Sequence, residues 1–349
     1  MRPLKALVVD DSAFSRQTIK TMLENCPGVE VLDIATNGID AIAKTLRLKP
    51  DLITLDLEMP EMDGFSFLRW IMIQKPTPVI VVSAQSDSRT VFEALELGAA
   101  DFIGKPSKKA SAELKNIEKS LIEKVNAIRG LNIEVLSRNL RLLAPAPEPQ
   151  AEAIPRGPVD IAAIGSSTGG PAALQIILTK LPDNFPSALV ISQHMPRGFT
   201  GPLAERLDKL AKIGISEARD GEEVEPARAY ICPGGAHMTF KKRGTSVRIS
   251  LKQAAPEDRY VPSVDIMMKS VAEVYGERSL GVLLTGMGND GKEGMLEIKH
   301  RGGYTIAESQ ETAIVFGMPR EAIKAGAAAK VLPLTEVSGE LIRVTKYGA

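Results

Sequence analysis

The sequence has no long uncharged apolar run, so it predicts no transmembrane helix. It lacks an apolar N-terminus as well. "MRPLKALVVDDS" carries aspartates where a secretory signal is apolar, so none is expected. It has only two cysteines, Cys26 and Cys232, far apart and outside any metal-ligand spacing. They read as reduced thiols of a cytoplasmic protein. Neither sign of charge is in excess, because Lys plus Arg and Asp plus Glu stand at 43 each. That balance removes the electrostatic reason to expect nucleic acid or an anionic membrane as a partner. What remains is a chain of 349 residues with the apolar and charged fractions of a soluble globular protein, enough for two domains.

The first part alternates short apolar runs with helical patterns. The runs are "KALVVD" (5–10), "VEVLDIA" (29–35), "DLITLD" (51–56), "PVIVVSA" (78–84) and "DFIGK" (101–105). Each is rich in Val, Ile and Leu and too short for a buried helix, so each reads as a strand. Strand and helix alternating in this way predict a doubly wound parallel sheet. Leu114, Ile117, Leu121, Val125 and Ile128 then follow the spacing of an amphipathic helix. A weaker helical pattern follows Gly130, and "APAPEPQAEAIPRGP" (144–158) reads as an extended linker.

A second alternating series begins at Val159, with strands expected at 159–164, 188–192, 229–232, 280–285, 303–307 and 330–334. "HMTFKKRGTSVRISL" (237–251) alternates around a central "RG" and predicts a hairpin. The fold class is therefore α/β. Two doubly wound domains are expected, the second mostly parallel with an antiparallel hairpin insertion.

Functional groups in parallel α/β sheets gather at the carboxyl ends of the strands. In the first part those ends carry Asp10, Asp11, Asp56, Ser83 and Lys105. Three carboxylates repel one another unless a cation sits among them. Hard oxygen ligands in a compact site suggest Mg²⁺. Taken singly, each aspartate could be a turn residue, and Asp11 before "SAFSRQTI" reads as a helix N-cap. It is the set that points to function.

In the second part "GSSTGGP" (165–171) lies between an apolar strand and a helical pattern. A Walker-type phosphate loop needs a lysine where Pro171 stands, and the dinucleotide pattern G-x-G is missing. Gly165, Ser167 and Gly169 do read G-x-S-x-G, the turn that lifts a serine nucleophile clear of a sheet. By itself the motif serves an ordinary glycine-rich turn equally well. A serine nucleophile needs a base, and the base an orienting acid. Of the three histidines, His300 fits a helix C-terminus and His237 opens the hairpin. His194 directly follows the strand "ALVISQ" and is the preferred base. The acid is Asp290 in "TGMGNDG", although Asn289-Asp290-Gly291 alone is ordinary turn chemistry.

Two resemblances attach to these residues. "VVDDS", "DLITLDLEMPEMDG", "VVSA" and "DFIGKP" are very similar to the receiver domain of bacterial response regulators, over about residues 1–125. That resemblance implies a flavodoxin-like receiver fold and phosphorylation of Asp56 by a histidine kinase. It also implies Mg²⁺ held by Asp10, Asp11, Asp56 and the Glu58 backbone carbonyl. Ser83 and Lys105 would sense the phosphate, and Phe102 would move with Ser83. "IGSSTGGP", "QHMPRGFT", "PGGAHM", "PSVD" and "LLTGMGNDG" are very similar to the effector domain of the chemotaxis protein-glutamate methylesterases, over about residues 158–345.

The second resemblance implies Ser167 as nucleophile, His194 as base, Asp290 as acid and the Met287 N–H as oxyanion donor. It implies hydrolysis of glutamate γ-methyl esters on methyl-accepting chemoreceptors, with glutamine deamidation as a further activity of some members. It implies no cofactor for the ester chemistry, and phosphorylation that loosens a receiver covering the active site. The expected domains are a receiver at 1–125, a helical and extended linker at 126–157 and a catalytic domain at 158–349. The expected protein is cytoplasmic, contacts no nucleic acid and inserts into no membrane. Two other readings are a receiver-switched serine hydrolase for a different ester and a DNA-binding response regulator. The second would need a basic patch and a helix-turn-helix near the C-terminus, where an α/β pattern stands instead.

Overall fold

A computed structural model describes residues 2–83, 88–105, 111–129, 131, 135 and 159–345. The chain divides into two compact units, Met1–Arg141 and Leu142–Ala349. Most of the weaker helical pattern after Gly130, and the linker expected at 144–158, lie outside the described residues.

In the first unit β1 (Leu4–Val9), β2 (Val29–Ala35), β3 (Leu52–Leu55), β4 (Val79–Ser83) and β5 (Asp101–Gly104) form one parallel sheet in the order β2-β1-β3-β4-β5. Between them run α1 (Ala13–Glu24), α2 (Gly38–Leu48), α3 (Gly64–Gln74) and α4 (Ser88–Glu96), and α5 (Ser111–Ile128) follows. Every residue of β3 is buried, as a central strand covered on both faces requires. Leu121, Val125 and Ile128 on α5 are buried in the same core as Ala6, Val8 and Leu23. Each such side chain taken from water stabilises the fold by about 1.5–3 kcal/mol. α5 thus runs through position 125, where the sequence suggests the receiver ends.

The helix starts follow side-chain capping. Ser12, Asn37 and Asp63 each accept a backbone N–H three residues on. The cap of α1 is therefore Ser12 and not Asp11. Ser12 has the extended backbone of a cap and a hydroxyl aimed at Ser15, which leaves the Asp11 carboxylate free for other use. Gly64 opens α3 where a Cβ would lie 2.2 Å from the Asp56 carbonyl oxygen. Only glycine lets the helix start this close to the strand end that carries Asp56.

The second unit holds a parallel sheet ordered β14-β13-β12-β6-β7-β9-β8. Its strands are β6 (Ile161–Ser166), β7 (Ala188–Gln193), β8 (Gly214–Glu217), β9 (Arg228–Ile231), β12 (Ser279–Leu283), β13 (Tyr304–Glu308) and β14 (Lys330–Leu332). β10 (Ala236–Arg243) and β11 (Ser246–Gln253) pair as the expected antiparallel hairpin. The helices are α6 (Gly170–Leu178), α7 (Thr200–Leu210), α8 (Val264–Tyr275), α9 (Lys292–His300), α10 (Met318–Lys324) and α11 (Leu334–Thr345). Met267 and Val271 of α8 pack with Met295 and Ile298 of α9 in the core beside Ile161 and Leu283.

The strand β8 has no counterpart among the sequence expectations. It is an edge strand of "GISE" in which only Ile215 is buried, so it lacks the apolar run that marks the others. β6 lies between β7, which follows it in the chain, and β12, which joins it from the far side. The chain changes direction across the sheet at β6, and such a switch point opens a crevice at the strand ends.

Candidate active site

In the first unit Asp10, Asp11 and Asp56 can each place a carboxylate oxygen within 4.8 Å of the others. Asp10 follows β1, Asp56 follows β3 and Lys105 follows β5, so three strand ends build the cluster. The Lys105 ammonium donates to Asp56 Oδ2 and lies 3.4 Å from Asp10 Oδ2. Burial raises the Asp10 carboxyl, the Asp56 charge adds to this, and Lys105 and the Ser12 N–H oppose it, leaving it at about 6. Burial likewise raises Asp56 against the pull of Lys105. Burial would lower Lys105, but its bond to Asp56 and the charges of Asp10 and Asp56 raise it. One lysine is too little for three carboxylates. Asp10 Oδ2 is buried and makes no hydrogen bond. This donor set, hard and oxygen-only, fits a small divalent cation.

Glu58 stands two residues beyond Asp56 and donates its N–H to Asp56 Oδ1 at 3.5 Å. Phe102 is buried in β5, its ring centroid 5.7 Å from the Lys124 ammonium. Ser83 closes β4, and its side chain lies outside the described residues. Arg16, which sequence reasoning missed, donates to the carbonyls of Asp10 and Asp11 at 2.8 Å each. It fixes the turn that carries both carboxylates.

In the second unit Ser167 stands immediately after β6 and His194 immediately after β7. These strands pair Ser166 with Gln193, and the His194 N–H donates to the Ser166 carbonyl at 3.1 Å. Serine and histidine therefore leave the sheet side by side. Gly169 has φ +79°, the left-handed conformation that turns the strand sharply into α6. The Ser167 N–H donates to the Thr285 carbonyl at 3.0 Å, which ties the turn to the segment after β12.

That segment carries Asp290. His194 Nε2 meets Asp290 Oδ2 at 2.8 Å. The carboxylate also accepts the N–H groups of Val264 (2.7 Å), Asp265 (2.9 Å) and Gly291 (3.1 Å) and the Ser263 hydroxyl (3.1 Å). Val264 and Asp265 open α8, so the acid sits on a helix N-terminus, where backbone donors and the helix dipole favour negative charge. Burial would raise Asp290, but His194 and these N–H groups outweigh it and hold the carboxyl low. Its neighbour Asp265 goes the other way, lifted to about 6 by burial and by the Asp290 charge despite the Gly294 N–H.

The other two histidines have different partners. His237 Nδ1 accepts the Ser263 N–H at 3.0 Å and its Nε2 faces Asp258 at 2.9 Å, so it braces the turn before α8. His300 is exposed at the end of α9. Met287 follows Gly286, and its N–H has no bonding partner among the described residues. A Cβ at Gly286 would lie 2.7 Å from the Ser167 Cβ. The glycine thus lets the Met287 segment come close to the serine.

Three more residues complete the site without having been expected. Gln193 Nε2 donates to the carbonyls of Ser167 (3.0 Å) and His194 (3.1 Å), and its Oε1 accepts the Ser166 hydroxyl (2.6 Å). Tyr260 stacks on His194 with centroids 5.2 Å apart and planes 7° from parallel. Its hydroxyl donates to Asn289 Oδ1 at 3.1 Å. Ser263 caps α8 while donating to Asp290. Gln193 and Ser263 lie inside motifs the sequence singles out, "QHMP" and "PSVD". The arrangement pairs a histidine with a buried acid and sets Ser167 on the neighbouring strand end, the three residue types that nucleophilic ester chemistry uses.

Comparison with known proteins gives a consistent pattern. The CheB methylesterase family matches residues 162–341, and the response regulator receiver domain matches residues 6–116. The chain is 49% identical to protein-glutamate methylesterase/protein-glutamine glutaminase 3 of Geobacter sulfurreducens over 98% of each chain. It is 43% identical to protein-glutamate methylesterase/protein-glutamine glutaminase 1 of Myxococcus xanthus over 98% of this chain and 97% of that one. The crystal structure of the Thermotoga maritima CheB methylesterase catalytic domain aligns with TM-score 0.52 and 44% identity, covering 54% of this chain and 98% of that one.

Proposed function

The chain belongs to the CheB methylesterase family, with a response regulator receiver domain ahead of the catalytic one, and on that premise we propose that it is a receiver-regulated esterase removing methyl groups from chemoreceptor glutamates. The observation that carries the reading is the His194–Asp290 contact at 2.8 Å, formed at the ends of strands that flank the serine strand β6. Ser167 Oγ attacks the ester carbonyl carbon and its proton passes to His194. Asp290 holds the imidazolium that results, and the Met287 N–H donates to the oxyanion. Collapse of the tetrahedral intermediate breaks the C–O bond, and the methoxy group leaves as methanol with the proton from His194. Water then attacks the glutamyl ester of Ser167, gives its proton to His194, and releases free glutamate and the serine hydroxyl. A receptor glutamine follows the same course, with ammonia leaving in place of methanol.

Control lies in the first domain, residues 1–125 extended by the rest of α5, and the catalytic domain starts near residue 158. Asp56 accepts the phosphoryl group from a chemotaxis histidine kinase. Asp10, Asp11, Asp56 and the Glu58 carbonyl would hold Mg²⁺, which neutralises charge on the incoming phosphoryl oxygens. Lys105 pairs with the bound phosphoryl group, and Ser83 and Phe102 respond to it. In the unphosphorylated chain the receiver restrains the esterase. Both cysteines are buried and free, which suits the cytoplasm. No helix among the described residues is long and apolar enough to cross a membrane. The test is methanol release from methylated receptor membranes, with and without a small phosphodonor. Ser167→Ala should abolish release in both conditions, and activity retained by the pure variant would overturn the nucleophile assignment.

A further inference from the structure

Glu308 ends β13 fully buried, with 0% of its surface exposed. Its Oε2 accepts the Thr285 N–H at 2.7 Å and its Oε1 accepts the Thr312 hydroxyl at 3.0 Å. β14 runs alongside and pairs Leu332 with Glu308, and the Leu334 N–H donates to the Thr312 hydroxyl at 2.8 Å. The groups that meet the carboxyl from the segment after β12, from the turn after β13 and from β14 are therefore an amide, a hydroxyl and an apolar neighbour. Among the described residues no charged side chain pairs with it. A carboxylate buried without a cation takes up a proton instead of holding its charge, and the neutral acid donates that proton across the 3.0 Å contact to the Thr312 hydroxyl, which then accepts in place of donating. Burial raises this carboxyl to about 7, against the opposing bonds from Thr285 and Thr312.

Thr285 links this acid to the serine turn. Its carbonyl holds the Ser167 N–H at 3.0 Å. Its hydroxyl donates to the Thr168 carbonyl at 2.9 Å and accepts the Val315 N–H at 2.9 Å. Met287 lies two residues further along the same segment. We propose that Glu308 is a positioning residue of the esterase site that works as a neutral acid, and that loss of its proton to solvent slows the chemical step. The proposal rests on the assignment of Ser167 and Met287 made above. A negative charge there is linked to the serine turn through the single residue Thr285 and opposes the negative charge that develops on the oxyanion. At an effective dielectric of about 20 and several ångström, one unit charge changes a rate by roughly tenfold or more.

The experiment uses the whole chain, activated by a phosphodonor, and the variant Glu308→Gln. The amide has the same shape, cannot ionise and still offers an oxygen to the Thr285 N–H. Methanol release is followed from about pH 6 to about pH 9, giving kcat and KM for both proteins. The ratio of kcat in the variant to kcat in the original chain should climb about tenfold across that range, while the ratio of KM values stays level. A level kcat ratio overturns the proposal. Thermal unfolding supplies a second readout that does not depend on the nucleophile. An acid whose folded pKa is raised stabilises the fold fully below its unfolded value of about 4.3 and loses that contribution as pH rises through the folded value. The Tm of the original chain minus that of Glu308→Gln should therefore fall between about pH 4.5 and about pH 7 and then level off. A constant difference overturns the proposal. If Ser167 were not the nucleophile, Ser167→Ala would keep its activity while the melting result stood unchanged.

Discussion

His194 meets Asp290 through Nε2, not Nδ1. With Asp290 held ionised, Nε2 is the nitrogen that donates to the acid. In the familiar Ser-His-Asp arrangement the acid holds Nδ1 and the serine proton goes to Nε2. Here the acid meets Nε2 instead. The cause is local. His194 leaves β7 beside Ser167, the acid sits on the N-terminus of α8, and Tyr260 stacks on the ring that meets it.

Asp290→Asn tests this pairing. The amide cannot hold the same tautomer, and its NH₂ group would face N–H donors of Val264, Asp265 or Gly291. We expect kcat for methanol release to fall by about 10³–10⁴. The loss should be in kcat, with KM little changed, because Asp290 touches His194 and not the ester. A loss confined to KM would contradict the role given to Asp290.

Gly286→Ala tests the closeness of the segment proposed to hold the oxyanion to the serine. The added methyl group would lie 2.4 Å from Met318 Sδ and 2.7 Å from the Ser167 Cβ. Met318 can yield, but the Ser167 backbone is held by Thr285 and Gln193. An error of about 1 Å at a reacting group costs about 10²-fold in rate. We expect a loss of that order, with circular dichroism unchanged. An unaltered rate would show that the serine does not depend on this approach.

The sequence carried these features unequally, for physical reasons. The central strands are legible because burial on both faces forces continuous runs such as "LITL" and "ALVISQ". β8 escapes because an edge strand needs only Ile215 inside. Ser167 and His194 are legible because both stand directly after apolar strands. Asp290 alone reads as a turn residue, and only its five donors mark it as an acid held ionised. Tyr260, Glu308 and Arg16 leave no local signal. Each acts through a partner brought near by folding: His194 for Tyr260, Thr285 for Glu308, and the two carbonyls of the aspartate turn for Arg16.

Stability at low pH should track Glu340. Burial would raise this carboxyl, but Arg343, Tyr304 and Lys330 all bond to it and bring it down to about 2. A depressed carboxyl gives stability that is present above its unfolded pKa of about 4.3 and is lost as pH falls through its folded value. Glu340→Gln should lower Tm at neutral pH by about 2–4 °C, the effect of ~1 kcal/mol in a unit of this size. The difference between the two proteins should close as pH drops from about 4.5 toward about 2. A difference that stays constant with pH would remove the ion cluster as its cause.

The receiver offers the sharpest separation of switch from chemistry. Asp10, Asp11 and Asp56 converge within 4.8 Å, while the esterase residues lie in the other unit and include no comparable carboxylate cluster among the described residues. Chelation of Mg²⁺ with EDTA should therefore abolish the stimulation by a phosphodonor and leave basal methanol release as it was. Asp56→Asn should do the same in the presence of Mg²⁺, because the neutral amide has no anionic oxygen to attack the phosphodonor. Lys105→Met removes the cation that faces both Asp56 and Asp10. With that cation gone, Mg²⁺ is the remaining counter-charge, so the variant should bind Mg²⁺ at least as tightly while responding less to phosphorylation. Isothermal titration calorimetry compares the Mg²⁺ affinity of the variant with that of the original chain. Basal release that falls with EDTA in the Asp56→Asn variant would place a metal requirement in the catalytic unit and contradict this division of labour.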